Sequence, residues 1–306
     1  MIQNAFGAGM DNQDIESAIS AATSKAFVLD TQHHVGGGDI NTAMKISGQQ
    51  DGHEQDYFLK LNSAHLLAMF EAEAAGLQEI SEAGAVRVPK PICTGVSDSQ
   101  AFIVIEYLDI GGRGRGSMAE FAEQLAQMHR HTREQFGWHR DNTIGATPQV
   151  NHWMDDWIEF WAEQRLGYQL ELAARHGIGS SAIKRGEKLC ARLGDFFGSY
   201  QPQASLLHGD LWSGNYGFIS TGEAVIFDPA TYYGDREADI AMTELFGGFG
   251  GEFYSAYNAS WKLDDGYPLR KTLYNSYHIL NHFNMFGGGY GSQAEAMLGR
   301  LLAEVS

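Results

Sequence analysis

Two short motifs, and the distance between them, constrain this chain more than anything else in it. Residues 206–215 read Leu-Leu-His-Gly-Asp-Leu-Trp-Ser-Gly-Asn, and the apolar run Val225-Ile226-Phe227 ends in Asp228-Pro229. Asp210, Asn215 five positions on, and Asp228 eighteen positions after the first Asp form a set. Phosphoryl-transfer enzymes place a base and two magnesium ligands around a nucleotide in this way. Asp210 is expected to accept the proton of an attacking hydroxyl. Asn215 and Asp228 are expected to hold Mg²⁺, a hard cation that takes few protein oxygens alongside phosphate. Either piece alone reads as well as a polar turn, or as a strand running into one. Their order and spacing together favour the catalytic reading. Asp228 is followed by Pro229 and opens no Asp-Phe-Gly tripeptide. That points away from enzymes acting on protein hydroxyls and towards small-molecule acceptors.

A chain of 306 residues has room for one large domain or two lobes with real cores. It carries 21 basic against 38 acidic residues, a net charge of −17, which argues against nucleic acid or an anionic membrane as partner. A substrate bearing an amine suits that balance weakly, since acidic surfaces also serve solubility. No apolar run is long enough for a membrane-spanning helix, and Met1–Met10 lacks the basic start and apolar stretch of a signal peptide. The two cysteines, Cys93 and Cys190, have neither metal-ligand nor disulfide-framework spacing. A reducing cytoplasmic home is expected.

The first 110 residues read as strands around one helix. Ala26–Leu29, Thr42–Ile46, Tyr57–Leu61 and the buried run Ala101–Leu108 are the strand candidates. Residues 63–82, rich in Ala, Leu and Glu, predict a helix with Ser63 as its cap. After the glycine-rich break at 111–116 the pattern turns helical over 117–131, 153–175, 181–198 and 236–304. This order predicts an α+β chain of two lobes: a sheet-rich nucleotide-binding lobe, 1–108, and a larger helical lobe for catalysis and substrate, 109–306. Phosphoryl transfer also asks the first lobe for a loop over the phosphates, a strand lysine and a helix glutamate to hold it. Gly36, Gly37 and Gly38 lie between two strands, where glycine lets backbone approach phosphate. Lys60 sits in an apolar strand and needs a partner. Glu73 on the following helix is the expected one, with Glu71 as the alternative. The backbone of Glu106, Tyr107 and Leu108 is expected to meet adenine. No Gly-x-Ser-x-Gly elbow or Gly-x₄-Gly-Lys-Ser/Thr loop offers another chemistry. His33, His34, His129 and His131 lack metal spacing with a third ligand. Trp153, Trp157, Phe160 and Trp161 fall at helical spacing, which favours packing over sugar stacking.

The chain resembles the fructosamine kinases, the ketosamine-3-kinase family, within the aminoglycoside phosphotransferase-like branch of the protein-kinase fold. The resemblance spans nearly the whole chain. It is strongest at His208–Asn215, Phe227–Glu237, Glu244–Phe249, Asp141–Gly145, Pro148–Asn151, Phe70–Glu73 and Val86–Pro91. It implies ATP-dependent phosphorylation of the sugar 3-hydroxyl of a ketosamine, a sugar joined to an amine by glycation. The unstable product can release the amine, so deglycation of small amines or proteins is implied. By matching position, Asp210 is the base, Asn215 and Asp228 the metal ligands, Lys60 the phosphate-contacting lysine, and Asp239 an acid supporting the catalytic loop. Some relatives carry a redox-active cysteine in the glycine-rich loop, where this chain reads Gly38-Asp39-Ile40. Trp212 and the Pro148–Asn151 segment are expected to wall a sugar pocket open at the amine end. The competing expectations are a kinase for an aminoglycoside, choline or homoserine-type alcohol, and a nucleotide-binding pseudokinase scaffold.

Overall fold

The N-terminal part is built on one antiparallel five-stranded sheet. A computed structural model, describing residues 11–36, 40–111 and 116–305, begins with helix α1 (Asn12–Thr23) and strands β1 (Phe27–His34), β2 (Thr42–Gln50) and β3 (His53–Ser63). Helix α2 (Leu67–Ala83) and strands β4 (Pro91–Ser97) and β5 (Gln100–Glu106) complete it, in sheet order β1-β2-β3-β5-β4. Alternation decides the two faces. Met44, Ile46, Leu59, Leu61 and Val104 point outward and are covered by Ile15 and Ile19 of α1, forming a small core of their own. Ile103 and Ile105 point inward and join Phe70, Leu77 and Ile80 of α2 in the main core. Asp51 and Gly52 both take positive φ, 51° and 78°, the pair of left-handed residues that closes a two-residue hairpin between β2 and β3.

Two elements here lie outside the sequence expectation of strands around one helix: α1 and β4. Asp11 caps α1 by accepting from the Gln13 amide, and Ser97 at the end of β4 donates to Asp14. Ser63 does not cap the helix expected over 63–82. It ends β3, a short 3-10 turn follows over Ala64–Leu66, and α2 starts at Leu67. The strand persists because the Asn62 side chain bonds to Ile40 O and Asn41 Oδ1, fastening β3 to the far end of the glycine-rich loop.

Beyond Glu106 the chain is mainly helical. Helix α3 (Met118–His129) leads to short strands β6 (Thr132–Arg133), β7 (Asn142–Ile144) and β8 (Thr147–Gln149). The aromatic-rich segment forms α4 (Trp157–Phe160), a π turn over Trp161–Gly167, and α5 (Tyr168–Arg175). Trp157, Phe160 and Trp161 are buried there as packing, whereas Trp153 stays 40% exposed. Helix α6 (Ser180–Cys190) precedes β9 (Ala204–Leu207), the hairpin β10 (Tyr216–Phe218) and β11 (Ala224–Ile226), and β12 (Tyr232–Gly234). The region expected to be helical over 236–304 is four helices: α7 (Arg236–Thr243), α8 (Gly251–Ser260), α9 (Tyr267–Phe286) and α10 (Tyr290–Glu304). Glycines 250, 266 and 289 stand at the breaks between them. Among the described residues, no helix is long and apolar enough to cross a membrane.

Candidate active site

β9 is buried along its whole length between β12 and β6, and it delivers His208, Gly209 and Asp210 to the edge of the main core. Gly209 takes φ 83°, and a Cβ at this position would overlap the Ala230 carbonyl. Only glycine lets the two segments run this close. They are cross-bonded: Ala230 N donates to His208 O, and His208 Nε2 donates to Phe227 O. His208 Nδ1 then accepts from the Asp210 amide, which fixes the tautomer. Beneath the loop, Asp239 of α7 accepts from the amides of His208 (2.7 Å) and Gly209 (2.8 Å) and lies 3.1 Å from His129 Nε2. Burial alone would raise this carboxyl. The hydrogen bond from His129, the electrostatic pull of the two neighbouring imidazoles and the Gly209 amide together hold it below the usual carboxylate range.

The hairpin β10–β11 fills the interval between Asn215 and Asp228 and folds them back together, with the Phe227 amide on Asn215 O at 3.0 Å. Asn215 Nδ2 donates to Asp210 O (2.9 Å) and Asp210 Oδ2 (3.2 Å). Its amide nitrogen is thereby engaged, and Oδ1 is left as a hard oxygen. Burial, then the negative charge of Asp228, pushes the Asp210 carboxyl up to about 7. Asp228 adopts φ 58°, a left-handed conformation that Asp tolerates better than most residues. Its Oδ1 lies 2.5 Å from Lys60 Nζ, and the same ammonium lies 2.6 Å from Glu73 Oε1. Lys60 and Glu73 are both nearly buried, whereas Asp228 is 47% exposed. Burial alone would lower the Lys60 pKa, but Asp228 and Glu73 raise it above its ordinary value, so it stays a cation. Glu71, the alternative partner, is turned away to Arg140 at 3.2 Å.

Asp210 and Asn215 of one loop, Asp228, Lys60 and Glu73 thus converge from four separate stretches of chain. Among the described residues no group of three His, Cys, Asp or Glu side chains is poised to hold a metal. A site with one free carboxylate oxygen and one amide oxygen suits a cation that takes its remaining ligands from phosphate and water. Other expected residues are placed less directly. Gly36 is exposed and open, while Gly37 and Gly38 lie outside the described residues. The Glu106 amide is not free for adenine, because it donates to Lys90 O at 2.8 Å. The Glu106 side chain is held by Arg87 and the Lys90 amide. Leu108 lies half-buried in the irregular segment after β5. Trp212 is 38% exposed and packs edge-on against Phe246 at 6.3 Å.

The Pro148–Asn151 segment does not wall an open pocket as expected. Gln149 and Asn151 are buried and turned towards the stretch after Asp228. Gln149 Nε2 donates to Ala230 O and Asn142 Oδ1, and Asn142 Nδ2 donates to Thr231 O. Tyr277 and Arg165 close this network, through Gln149 Oε1 and Asn151 Oδ1 respectively. These residues brace the position of Asp228. Short polar strands give no sign in sequence of being buried, so this role was not legible. The Phe227–Glu237 stretch is likewise structural beyond Asp228. Asp235 caps α7 and receives the hydroxyls of Tyr200 and Tyr274, and Glu237 pairs with the buried Arg270 at 2.7 Å.

Comparison with known proteins agrees with this geometry. A sequence model of the fructosamine kinase family matches residues 11–304. A probable ketoamine kinase of Synechocystis is 47% identical over 95% of this chain and 96% of its own length. A chloroplastic protein-ribulosamine 3-kinase of Arabidopsis thaliana is 45% identical over 86% of this chain and 80% of its own. The solved structure of a candidate fructosamine-3-kinase from Haemophilus somnus superposes with a TM-score of 0.86 at 28% identity, covering 96% of this chain and 98% of the other. With its protein-kinase-like fold and a family match over almost all its length, this chain belongs to the fructosamine kinase family.

Proposed function

We propose that the protein is an ATP-dependent ketosamine 3-kinase that uses Asp210 as base and Asn215 and Asp228 as magnesium ligands. The observation carrying the site assignment is the position of Lys60, shared between Glu73 and Asp228 within bonding distance of both. This gathers a cation, a metal-ligand carboxylate and, through Asn215, the base at one place. The substrate class comes from relatives named ketoamine kinase and protein-ribulosamine 3-kinase. Residues 1–108 act as the nucleotide lobe and 109–306 as the catalytic and acceptor lobe. Gly36–Gly38 cover the phosphates, and the Glu106 carbonyl and Leu108 amide face adenine. The free thiols Cys93 and Cys190, pushed up to about 12 and 11 by burial, suit a reducing cytoplasm.

In the reaction, a bond forms between the acceptor O3 and the γ-phosphorus while the bond from that phosphorus to the β–γ bridging oxygen breaks, and ADP leaves with the electron pair. Asp210 takes the proton from O3. Lys60, held as a cation, offsets charge on the phosphate oxygens, and Glu73 keeps it aimed. Bound Mg²⁺ would be held by Asn215 Oδ1 and the Asp228 carboxylate and would neutralise phosphate charge. Most of the rate gain then comes from alignment and fixed charge. The test is ATP consumption with a ribulosamine, a fructosamine, an aminoglycoside and choline side by side. Turnover confined to the aminoglycoside or choline would overturn the acceptor assignment and leave phosphoryl transfer standing. No turnover on any acceptor would favour a scaffold.

A further inference from the structure

The stretch 86–91 leads from α2 into β4 and takes no part in the chemistry above. Val86 and Val88 are buried in the main core, while the Arg87 side chain between them is 36% exposed. Arg87 bonds in two directions. Its carbonyl accepts from the Ile226 amide at 3.0 Å, beside a parallel bridge to Val225 that lays this stretch along β11, two residues before Asp228. Its Nη2 lies 2.5 Å from Glu106 Oε1, and Glu106 Oε2 accepts from the Lys90 amide at 3.1 Å. The chain after Glu106 returns to the same hairpin. Ile110 bridges Ile219, and the Gly111 amide donates to Phe218 O at 3.3 Å. Ile110 sits on Gly217 of β10, where an added Cβ would lie 2.2 Å from Ile110 Cγ2. That methyl is carried on a β-branched carbon and has little room to turn away. The segment 106–111 is therefore fastened at both ends to the hairpin β10–β11, which fills the interval between Asn215 and Asp228.

We infer that Arg87 is a positioning residue for the nucleotide: it ties the segment that meets adenine to the hairpin that ends in the metal ligands. The inference rests on the ATP site of the reading above. There adenine is held at 106–108, and the phosphates at Lys60, Asn215 and Asp228. Arg87 at one margin of the hairpin and the Ile110–Gly217 contact at the other keep these two ends at one separation. Loosening either margin frees 106–108 from the metal ligands. ATP then has to order that segment on binding, which weakens its affinity. The acceptor hydroxyl meets Asp210 and does not depend on this tie. Adenine offers an N–H to the Glu106 carbonyl, where guanine places an oxygen. A carbonyl that is no longer fixed rejects guanine less well, so Arg87 bears on the choice of nucleotide as well as on affinity.

The test measures Arg87→Ala, Glu106→Ala and the double variant beside wild type. The readouts are KM for ATP, KM for a ribulosamine, kcat, the ATP-to-GTP ratio of kcat/KM, and melting temperature. The Arg87–Glu106 pair is 36% and 30% exposed, between a surface pair and a buried one. KM for ATP should therefore rise about three- to tenfold in Arg87→Ala. Its kcat and acceptor KM should stay within about twofold of wild type, and its ATP-to-GTP ratio should fall. The double variant should be no worse than Glu106→Ala, because both changes break the same pair. Gly217→Ala, which displaces Ile110 at the other margin, should raise KM for ATP with Arg87 intact. Three results would overturn the inference: an unchanged KM for ATP in Arg87→Ala, additive losses in the double variant, or an equal rise in both KM values with a lower melting temperature. Calorimetry with magnesium-ATP separates these from failure of the functional reading. If wild type binds ATP but phosphorylates no sugar, the ketosamine reading fails and the same comparison is made on Kd. If wild type binds no ATP, both fail.

Discussion

Replacing Asp239 by Asn tests whether the catalytic loop is held from below by charge. Asp239 accepts two backbone amides and faces His129, all in a region without solvent. An asparagine keeps one acceptor oxygen and turns an NH₂ towards the second amide. One buried backbone N–H loses its partner, which costs about 1–3 kcal/mol. The bonds that survive lose their charge assistance, worth roughly 1 kcal/mol each. The total is about 3–5 kcal/mol, in the range for breaking a buried charged network. At about 2–4 °C per kcal/mol for a chain somewhat smaller than this one, thermal unfolding should fall by roughly 6–20 °C. Activity should drop further than stability, with kcat reduced and KM for ATP little changed, because the displaced element carries Asp210. The sign of the pH effect follows from the depressed Asp239 pKa. Its stabilisation is complete above the unfolded carboxylate value near 3.9 and is lost as pH falls through the lower folded value. The gap in melting temperature between wild type and Asp239→Asn should therefore close in acid, below about pH 4. A variant that melts within about 2 °C of wild type at neutral pH, with unchanged kcat, would show that the loop does not depend on this carboxylate.

Asp228→Ala should abolish magnesium-dependent ATP turnover while affecting metal-free nucleotide binding less; near-normal kcat in magnesium would remove Asp228 from the site. Asp210→Asn should lower kcat severely with ATP affinity within a few-fold, since a base acts mainly in the chemical step; steady-state kinetics at saturating ATP decide it. Gly209→Ala should lose activity and soluble yield, because its Cβ would overlap the Ala230 carbonyl at φ 83°; a fully active alanine variant would contradict the loop geometry. Wild-type stability should decline as pH falls below about 6.5, because burial holds His129 below its usual value and His278 at about 3, so protonation favours the unfolded chain; a flat melting profile from pH 7 to about pH 5 would argue against neutral buried imidazoles.

The sequence carried the grouping of the polar site residues better than the scaffold that holds them. Asp210, Asn215 and Asp228 were legible because their spacing is set by a hairpin short enough to leave a fixed interval. Lys60 was legible because a lysine inside an apolar strand has to find a partner, and the structure provides two. Helix α1 left a faint trace: Ile15 and Ile19 are the buried residues on which it docks, too few for a clear period of 3.6. The Asp51-Gly52 pair was a readable hairpin signal that went unused. The network of Asn142, Gln149, Asn151 and Arg165 was beyond reach, since polar residues in short segments look solvated until the fold buries them. Glu106 ends β5, and its amide is taken by Lys90 O where the chain enters β4, a pairing that only the folded sheet reveals.

These supports share one mechanical consequence. Helix α2 carries Glu73, and its position decides whether Lys60 is aimed at the site. It is fastened to the helical part of the protein along its length. Glu71 pairs with Arg140, and Glu79 accepts from Trp138 Nε1 and the Tyr233 hydroxyl. At Gly76 the helix presses so close to the stretch after Asp228 that an added Cβ would lie 2.8 Å from Thr231 Oγ1. The same stretch is bonded from its other side by Asn142 and Gln149. Swinging α2 outward would break the Lys60 pair, strand the buried end of Glu79 and open a void at Gly76 together. A helix held at that many points has no low-cost alternative position. Lys60 and Asp228 are therefore aligned by the fold itself before any substrate arrives, with the positioning cost met when the chain folds.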